Sequence, residues 1–363
     1  MTPPPATGKY AGYWTIKKLR RGLRNRLSAW LARGQAAPLQ PLDPAAIRRV
    51  IDCRRNHRLG NMLFLTPLLR SLAATLPQAE IDLLVGNASY AGLFQGLPGV
   101  RRVWAMPRRG WLWPLRMLAL LFRLRRQDYD LVIEPSQNSF SNRLSARLCG
   151  ARWRLGFYAP DQWLSLTHTV IPDPDQKHEV LKPLQLISRG FADAARLHPR
   201  MALALTAEEQ AVGRARWAAV LDPWGHGPVI GFFTEATGKK RLPPEWWQAW
   251  LAGLRQSGQD FRLLQILPPG TAPAIEPGMA HVREPDHRRL AALLGNLDLF
   301  VSCDAGPMHL AAAAGVSTLG LFHTTRSERY RPLGEHSLAL EVKDQTPTQA
   351  AGAVLAHLAR LRR

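Results

Sequence analysis

The stretch Leu297-Asp298-Leu299-Phe300-Val301-Ser302-Cys303-Asp304-Ala305-Gly306-Pro307-Met308-His309 decides the fold of this 363-residue chain. Its first seven residues are a short apolar run with β-branched and aromatic members, which predicts a buried strand. The next three residues interrupt the run, and Pro307 follows where a helix tolerates proline, because the missing N–H costs nothing in the first turn. An alanine-rich helix then ends at Gly315, and a second strand is predicted over 318–322.

A strand, a glycine turn and a helix N-terminus have a chemical use in a parallel sheet. Ligands bind beyond the carboxyl ends of the strands, where the first turn of a helix presents N–H groups and a positive dipole end to a phosphate. Asp304 would lie at the mouth of this crevice, Gly306 would let the backbone approach the ligand, and His309 would face it one turn later. The spacing alone leaves open an ordinary βαβ crossover, since it is neither a GxGxxG motif nor a P-loop.

The rest of the chain fits an α/β protein with two domains. A second βαβ pattern starts at the strand Val50–Cys53, continues in a leucine-rich helix that ends before Pro77, and closes with the strand Ile81–Val85. A last helix over 346–363 could cross back to the first domain. The three cysteines are odd in number and far apart, which suits buried, inert thiols in a reducing compartment.

The positive charge is concentrated in the first third of the chain. Residues 1–126 hold 22 Lys and Arg against 4 Asp and Glu, a net of +18 within the formal +21 of the whole chain. A field of this size implies an anionic partner, namely a membrane surface, an acidic glycolipid or nucleic acid. No nucleic-acid-binding motif accompanies the charge, which stands among Trp and Leu at helical spacing. We therefore expect no nucleic-acid partner.

Two basic and apolar segments carry much of this charge. Residues 10–33 have the pattern of a helix that lies in a bilayer interface, with a helix packed on its own protein as the alternative. Residues 111–126 predict a crossover helix whose outer end touches lipid. The chain shows neither a secretory signal nor an apolar run near 18 residues. We expect a cytoplasmic protein, peripheral on the inner membrane, that contacts the inner leaflet through both segments.

Several segments resemble one enzyme family. Residues 304–316 are similar to the signature of glycosyltransferase family 9, the ADP-heptose:lipopolysaccharide heptosyltransferase-like enzymes, in which Asp-Thr-Gly is followed after two residues by His and a small-residue helix. Residues 321–325 and 331–334 resemble two later elements of the family. Residues 234–243 resemble its loop of Thr followed by Lys, and 60–67 resemble its Gly-Asp-x-x-x-x-x-Pro segment.

The resemblance covers roughly residues 48–340 and implies an α/β fold of GT-B type, in which two doubly wound parallel-sheet domains face a cleft. We expect a basic amphipathic extension over 1–44 and an acceptor-side domain over 45–200. A nucleotide-sugar-binding domain is expected over 201–345, and a C-terminal helix over 346–363.

The family implies inverting, metal-independent transfer of a sugar, commonly heptose from ADP-heptose, to a lipopolysaccharide core or related anionic glycolipid. No cofactor and no metal are expected, because a lysine, a threonine and a helix N-terminus can offset the charge of the leaving diphosphate. The positions that match the family's donor-binding residues are Thr234, Thr237, Lys240, Asp304, Ala305, Gly306 and His309. On the acceptor side the expected positions are Gly60, Asn61, Gln137 and Asn138.

The chain departs from the family at Asn61, which stands where the family has the Asp taken to be the general base. An amide has no titratable carboxylate and cannot accept the proton. The catalytic candidates are therefore His57, a nearby group that titrates near neutral pH, Asn61 itself and Asp304. Asp52 and Glu134, at two strand ends, are further carboxylate candidates. Asn61 also leaves open a catalytically silent relative that binds a nucleotide sugar or glycolipid at the membrane.

Overall fold

The computed structural model describes residues 41–56, 58–106, 114–137, 139–159, 166–192, 196–222, 225–270 and 274–362. The helix predicted over 10–33, the first three residues of the 111–126 segment, and the candidates His57 and Asn138 lie outside the described residues.

Two six-stranded sheets form the framework of the described part of the chain. The first contains β1 (Arg49–Arg54), β2 (Glu80–Val85), β3 (Val100–Ala105), β4 (Leu131–Glu134), β5 (Trp153–Phe157) and β6 (His168–Val170). The second contains β7 (Val229–Phe233), β8 (Arg262–Leu267), β9 (His281–Arg283), β10 (Leu299–Cys303), β11 (Thr318–Phe322) and β12 (Leu338–Glu341). Every neighbouring pair in both sheets is parallel. The prediction of two parallel sheets is confirmed.

Helices connect the strands of both sheets. Those that accompany the first sheet are α1 (Leu59–Leu63), α2 (Thr66–Thr75), α3 (Pro114–Arg125), α4 (Phe140–Leu148) and α5 (Leu184–Gly190). Those that follow are α6 (Ala207–Leu221), α7 (Pro244–Gln256), α8 (His287–Leu294), α9 (Gly306–Ala313), α10 (Ser327–Tyr330) and α11 (Pro347–Leu361). No helix in the described parts of the chain is both long and apolar enough to cross a membrane.

The two sheets have the same strand order. The first sheet runs β3-β2-β1-β4-β5-β6, and the second has the same order counted from its own first strand, β9-β8-β7-β10-β11-β12. This is the doubly wound order, in which the order of the strands across the sheet reverses between the first and fourth strands and opens a crevice at their carboxyl ends. The stretch that decided the fold, β10 and α9, lies beside β7 at this reversal point.

The leucine-rich helix of the first half is broken in two, whereas the sequence predicted one helix. The break lies at residues 64–65, just before the first turn of α2. Pro67 causes it, because proline lacks an N–H for the carbonyl four residues earlier and its ring clashes with that carbonyl. The hydroxyl of Thr66 donates to the Leu63 carbonyl oxygen instead, at 2.9 Å. The break leaves α1 as a separate short element at the cleft.

The C-terminal helix stays with the second half and does not cross back to the first sheet. It packs along α7 so closely that a Cβ on Gly253 would lie 3.1 Å from the Thr348 Cα. The other face of α7 buries Trp247 and Trp250, whose ring centroids lie 6.0 and 5.7 Å from that of Phe232 on β7. The second sheet is therefore covered by its own helices.

Candidate active site

The two halves touch where α1 crosses the first turn of α9, and a glycine from each helix makes this contact possible. A Cβ on Gly60 would lie 2.9 Å from Cδ2 of His309, and a Cβ on Gly306 would lie 3.0 Å from the Leu59 Cβ. Real Cβ atoms essentially never approach other atoms more closely than 3.0 Å. Gly60, predicted on the acceptor side, therefore packs directly on the predicted donor-side His309.

A cavity of about 700 Å³ lies beside this crossing, lined by both halves. Gly60 and Asn61 line it from the first half. From the second half it is lined by Thr237, Lys240, Asp304, Ala305, Gly306 and His309. Eight of the residues selected from the sequence thus surround one space, although the chain separates them by up to 249 positions.

A lysine and a carboxylate form the floor of the cavity. Lys240 Nζ donates to Asp304 Oδ2 at 2.9 Å and to the Asp304 carbonyl oxygen at 3.0 Å. Burial disfavours the charged carboxylate of Asp304, but the facing His309 and Lys240 outweigh it and hold its pKa below the usual range. An ammonium group has three donors, and the described residues occupy two of those of Lys240, which leaves one for a ligand.

His309 completes this group from the first turn of α9. Its Nε2 lies 3.8 Å from Asp304 Oδ1, and its ring meets Phe64 edge-on, with 4.7 Å between the centroids. The side chain is 3% exposed, and its Nδ1 has no hydrogen-bond partner among the described residues. Burial lowers the pKa of His309, while Asp304 opposes the shift. The imidazole is therefore neutral at pH 7.

The turn that carries Lys240 is braced by the segment after β11. His323 Nε2 donates to the Lys240 carbonyl oxygen at 2.9 Å, and the Thr324 hydroxyl donates to the Lys239 carbonyl oxygen at 3.3 Å. Residues 321–325 were selected only for their resemblance to a family element. The structure gives them a physical role, which is to fix the position of the lysine.

Thr234 lies behind the cleft and not in it. Its hydroxyl accepts a hydrogen bond from Gln265 Nε2 at 3.3 Å, and the residue lines a separate cavity of about 180 Å³. Side chains alternate along a strand and its extension, so Phe233 faces the central cavity and Thr234 faces β8.

One end of the central cavity is an apolar slot that the sequence analysis missed. Its walls are residues 266–269, at the end of β8, with Pro285 and Leu290 before and within α8. His287 closes the slot and stacks on Tyr90 of the first half, with 5.5 Å between the ring centroids and 16° between their planes. Apolar residues in a loop carry no motif, so only the fold reveals the slot.

Comparison with known proteins decides the family. The sequence model of glycosyltransferase family 9 (heptosyltransferase) matches residues 117–358, about two thirds of the chain. The chain belongs to glycosyltransferase family 9. It is a glycosyltransferase, and the resemblance read from its motifs is confirmed. A search of curated proteins found no match.

Solved structures share the fold of this family 9 enzyme. A family 9 glycosyltransferase from Veillonella parvula DSM 2008 is 16% identical, with a TM-score of 0.72 over 88% of this chain and 99% of that one. The E. coli ADP-heptose lps heptosyltransferase II is 18% identical, with a TM-score of 0.67 over 87% and 100%. The E. coli heptosyltransferase WaaC with ADP is 19% identical, with a TM-score of 0.66 over 85% and 99%. The expected two-domain GT-B architecture is confirmed.

Among the described residues of this family 9 chain, those predicted for the acceptor side are divided between two cavities. Gly60 and Asn61 line the central one, whereas Gln137 lines a polar cavity of about 270 Å³ in the first half. Arg54, Arg55 and Lys182 line the same polar cavity, together with Glu179. This second cavity lies at the carboxyl ends of β1 and β4, where the strand order of the first sheet reverses.

The two further carboxylate candidates do not line the central cavity. Glu134 pairs with Arg143 at 2.8 Å, and burial raises its pKa to about 7. Asp52 is fully buried, and neither of its oxygens has a hydrogen-bond partner within the described residues. Burial raises the pKa of Asp52 to about 8, although Arg54 opposes the shift. Asp52 is therefore mostly protonated at pH 7.

Proposed function

We propose that this enzyme transfers heptose from an ADP-linked donor to a lipopolysaccharide core or related anionic glycolipid, with inversion and without a metal ion. The observation that carries the proposal is the cluster of Asp304, Lys240 and His309 at the first turn of α9, which contacts α1 and lines the cavity beside this contact. In this proposal the chain over 45–200 holds the acceptor and 201–345 holds the donor.

We propose one orientation of the donor in the cavity, with its nucleobase in the apolar slot and its diphosphate at α9. The apolar slot beside Leu267 and Pro268 suits a flat nucleobase. The diphosphate then reaches the first turn of α9, where the N–H groups of Gly306 and Met308 and the third donor of Lys240 offset its charge. This positive charge comes from the protein itself, which supports metal-independent departure of the diphosphate. Asp304 is placed to accept hydrogen bonds from the sugar hydroxyls.

The acceptor hydroxyl needs a group that takes its proton. Asn61 lines the cavity but cannot do so, because its amide is not a base. His57, four residues earlier in the loop after β1, is our candidate for the base. Asp304 is the alternative, although its low pKa makes it a weak base.

Asn61 also supports a second candidate function, a silent relative that binds a nucleotide sugar or glycolipid without transferring sugar. An amide can donate to and accept from a sugar hydroxyl, so binding survives where general-base catalysis does not. In both functions we propose that the protein works at the inner face of the inner membrane, where a lipid-linked acceptor is available.

A transfer assay tests the proposal. The purified protein is incubated with ADP-heptose and a truncated lipopolysaccharide core in the presence of EDTA, and released ADP and the mass of the glycolipid are measured. We expect transfer by the wild-type protein and its loss in Asp304→Asn. Transfer only by Asn61→Asp would support the silent relative. Absence of transfer by both proteins would contradict an ADP-heptose enzyme.

A further inference from the structure

The crossover helix α3 has two apolar faces, and only one of them packs on other residues that the structure describes. Successive residues of an α-helix are rotated by about 100° around its axis. The inner face, which packs on the first sheet, therefore carries Met117, Leu120 and Leu124, within about 60° of one another. Leu115, Leu118 and Phe122 lie within 60° on the opposite side. A crossover helix needs a single apolar stripe to cover its sheet, so the second stripe has no role in that packing.

The outer stripe is exposed. Leu115, Leu118 and Phe122 are 79%, 61% and 62% exposed, whereas Leu124 on the inner face is fully buried. Of the other exposed large apolar side chains in the described residues, Tyr158 and Ile171 directly follow the paired strands β5 and β6, and the rest stand on separate elements. Only Leu115, Leu118 and Phe122 form a row of three along one element of the described chain. A row of this kind marks an interaction site more often than isolated exposed residues do.

Arginines flank the stripe on both sides. On the same wheel Arg125 lies about 20° beyond one edge of the stripe, and Arg126, directly after the helix, lies about 20° beyond the other. Arg116 and Arg123 lie further round the helix, and α3 contains no acidic residue. The guanidinium of Arg126 lies over the Phe122 ring, 5.4 Å from its centroid. Apolar side chains with arginines on either border match a bilayer surface, in which alkyl stems stay in the apolar layer while charged heads reach the phosphates.

We propose that the outer face of α3 docks on an anionic lipid bilayer, with Leu115, Leu118 and Phe122 inserted between the headgroups. The inference deepens the proposed function, and it rests on that function for the lipid-linked acceptor. A helix of twelve residues is about 18 Å long and lies along the surface without crossing it. Because crossover helices run antiparallel to their strands, the start of α3 lies near the carboxyl edge of the first sheet, where the acceptor-side cavities open.

A fluorescent reporter on α3 tests this contact directly. The variant Leu118→Cys of the full chain is labelled with an environment-sensitive dye, and Val212→Cys on α6, 58% exposed in the native protein, is labelled as the matched control. Cys53, Cys149 and Cys303 are at most 1% exposed, so the new thiol reacts first. We expect a blue shift of the dye at position 118, and none at 212, with vesicles that contain phosphatidylglycerol.

Three results would overturn the proposal. In the first, the emission of the dye at position 118 would stay unshifted while the protein sediments with the vesicles, which would mean that another segment binds lipid. In the second, the emission would already be blue-shifted without vesicles and would not change with them, which would mean that the chain itself covers this face. In the third, the blue shift would be equal with neutral phosphatidylcholine vesicles, which would mean that the arginines have no role in binding.

Substitution of the whole stripe tests its contribution. The triple variant Leu115→Ser, Leu118→Ser and Phe122→Ser should lower the vesicle-bound fraction at least roughly tenfold, because each buried apolar side chain contributes more than the energy of a tenfold change. Val212→Ser should bind vesicles like the wild type. ADP titration of the triple variant separates the two proposals, since nucleotide binding should be unchanged. Wild-type vesicle binding by the triple variant would contradict docking through α3, whatever the result with ADP.

Discussion

Gly60 matters both for the packing of the two halves and for the candidate site. The ring of His309 occupies the space that a side chain at position 60 would need. The family-like motif predicted Gly60 as part of an acceptor loop. Nothing in the sequence indicated that its partner lies 249 residues away. The distance of 2.9 Å to the His309 ring makes Gly60 a spacer between the halves.

Gly60→Ala should therefore weaken ADP binding. The added methyl group must displace a buried imidazole or separate α1 from α9, and overpacking of this kind costs about 1–3 kcal/mol. Calorimetric titration should show a fall in ADP affinity of roughly fivefold or more. Gly92→Ala is the control, since a Cβ there meets nothing within 4 Å. An unchanged affinity in Gly60→Ala would refute the close contact.

Asp52 should make the stability of the protein depend on pH. Its pKa is raised from 3.8 to about 8, chiefly by burial. Between these values the folded protein holds a proton that the unfolded chain has released, so the free energy of unfolding falls as pH rises. Asp52→Asn removes the ionisation, and its stability relative to wild type should increase from pH 5 to pH 8, by at most about 1.4 kcal/mol per pH unit.

Urea unfolding at pH 5 and pH 8 measures this difference. The exposed Asp175→Asn serves as the control and should show the same change in stability at both values. If the difference in the free energy of unfolding between Asp52→Asn and the wild type is equal at pH 5 and pH 8, Asp52 ionises in the folded protein as it does in the unfolded chain.

At the scale of elements, α8 ties the two halves together through Arg288. This side chain is 8% exposed, and its NH1 donates to the carbonyl oxygens of Gly92 and Gln95 in the first half, at 3.0 Å each. It also donates to the Ala204 carbonyl oxygen and pairs with Glu209 at the start of α6. One guanidinium thus joins the first half, the connection and the second half.

Arg288→Lys should destabilise the protein by about 2–4 kcal/mol, because lysine keeps the charge but cannot make the forked set of hydrogen bonds. Urea unfolding measures the loss. Arg289→Lys, at an exposed position on the same helix, should change stability by less than about 0.5 kcal/mol. Similar values for the two variants would mean that the Arg288 contacts contribute little.

The elements also show what the sequence can predict. The strand, turn and helix around Asp304 follow from local rules, and the structure has them as expected, with Gly315 at a φ of +92°. The break before Pro67 was missed, because leucine spacing continues through it. Thr234 was assigned to the donor site by resemblance, but its orientation depends on the Gln265 side chain of the neighbouring strand. The apolar slot depends on which loops the fold brings together.

At the scale of the whole molecule, two sheets of the same strand order place their reversal points on opposite walls of one cleft. Separate halves can therefore hold the donor and the acceptor that we propose. A small change in the position of one half relative to the other would then alter the site. The charge is divided in the same way, with +18 in the first 126 residues and +3 in the rest. This division agrees with our proposals that the first half meets anionic lipid and that the second half binds a small nucleotide.

The claim that the cleft is a nucleotide-sugar site is tested most directly by calorimetric titration with ADP in EDTA. UDP and GDP serve as comparison ligands, and Lys240→Ala and Lys239→Ala as the matched pair. Lys239 is the exposed neighbour with the same charge and does not line the cavity. We predict micromolar binding of ADP by the wild-type protein and by Lys239→Ala, and loss of that binding in Lys240→Ala. Equal binding by both variants, or no binding of any nucleotide by the wild-type protein, would contradict the donor site described for Lys240 and Asp304.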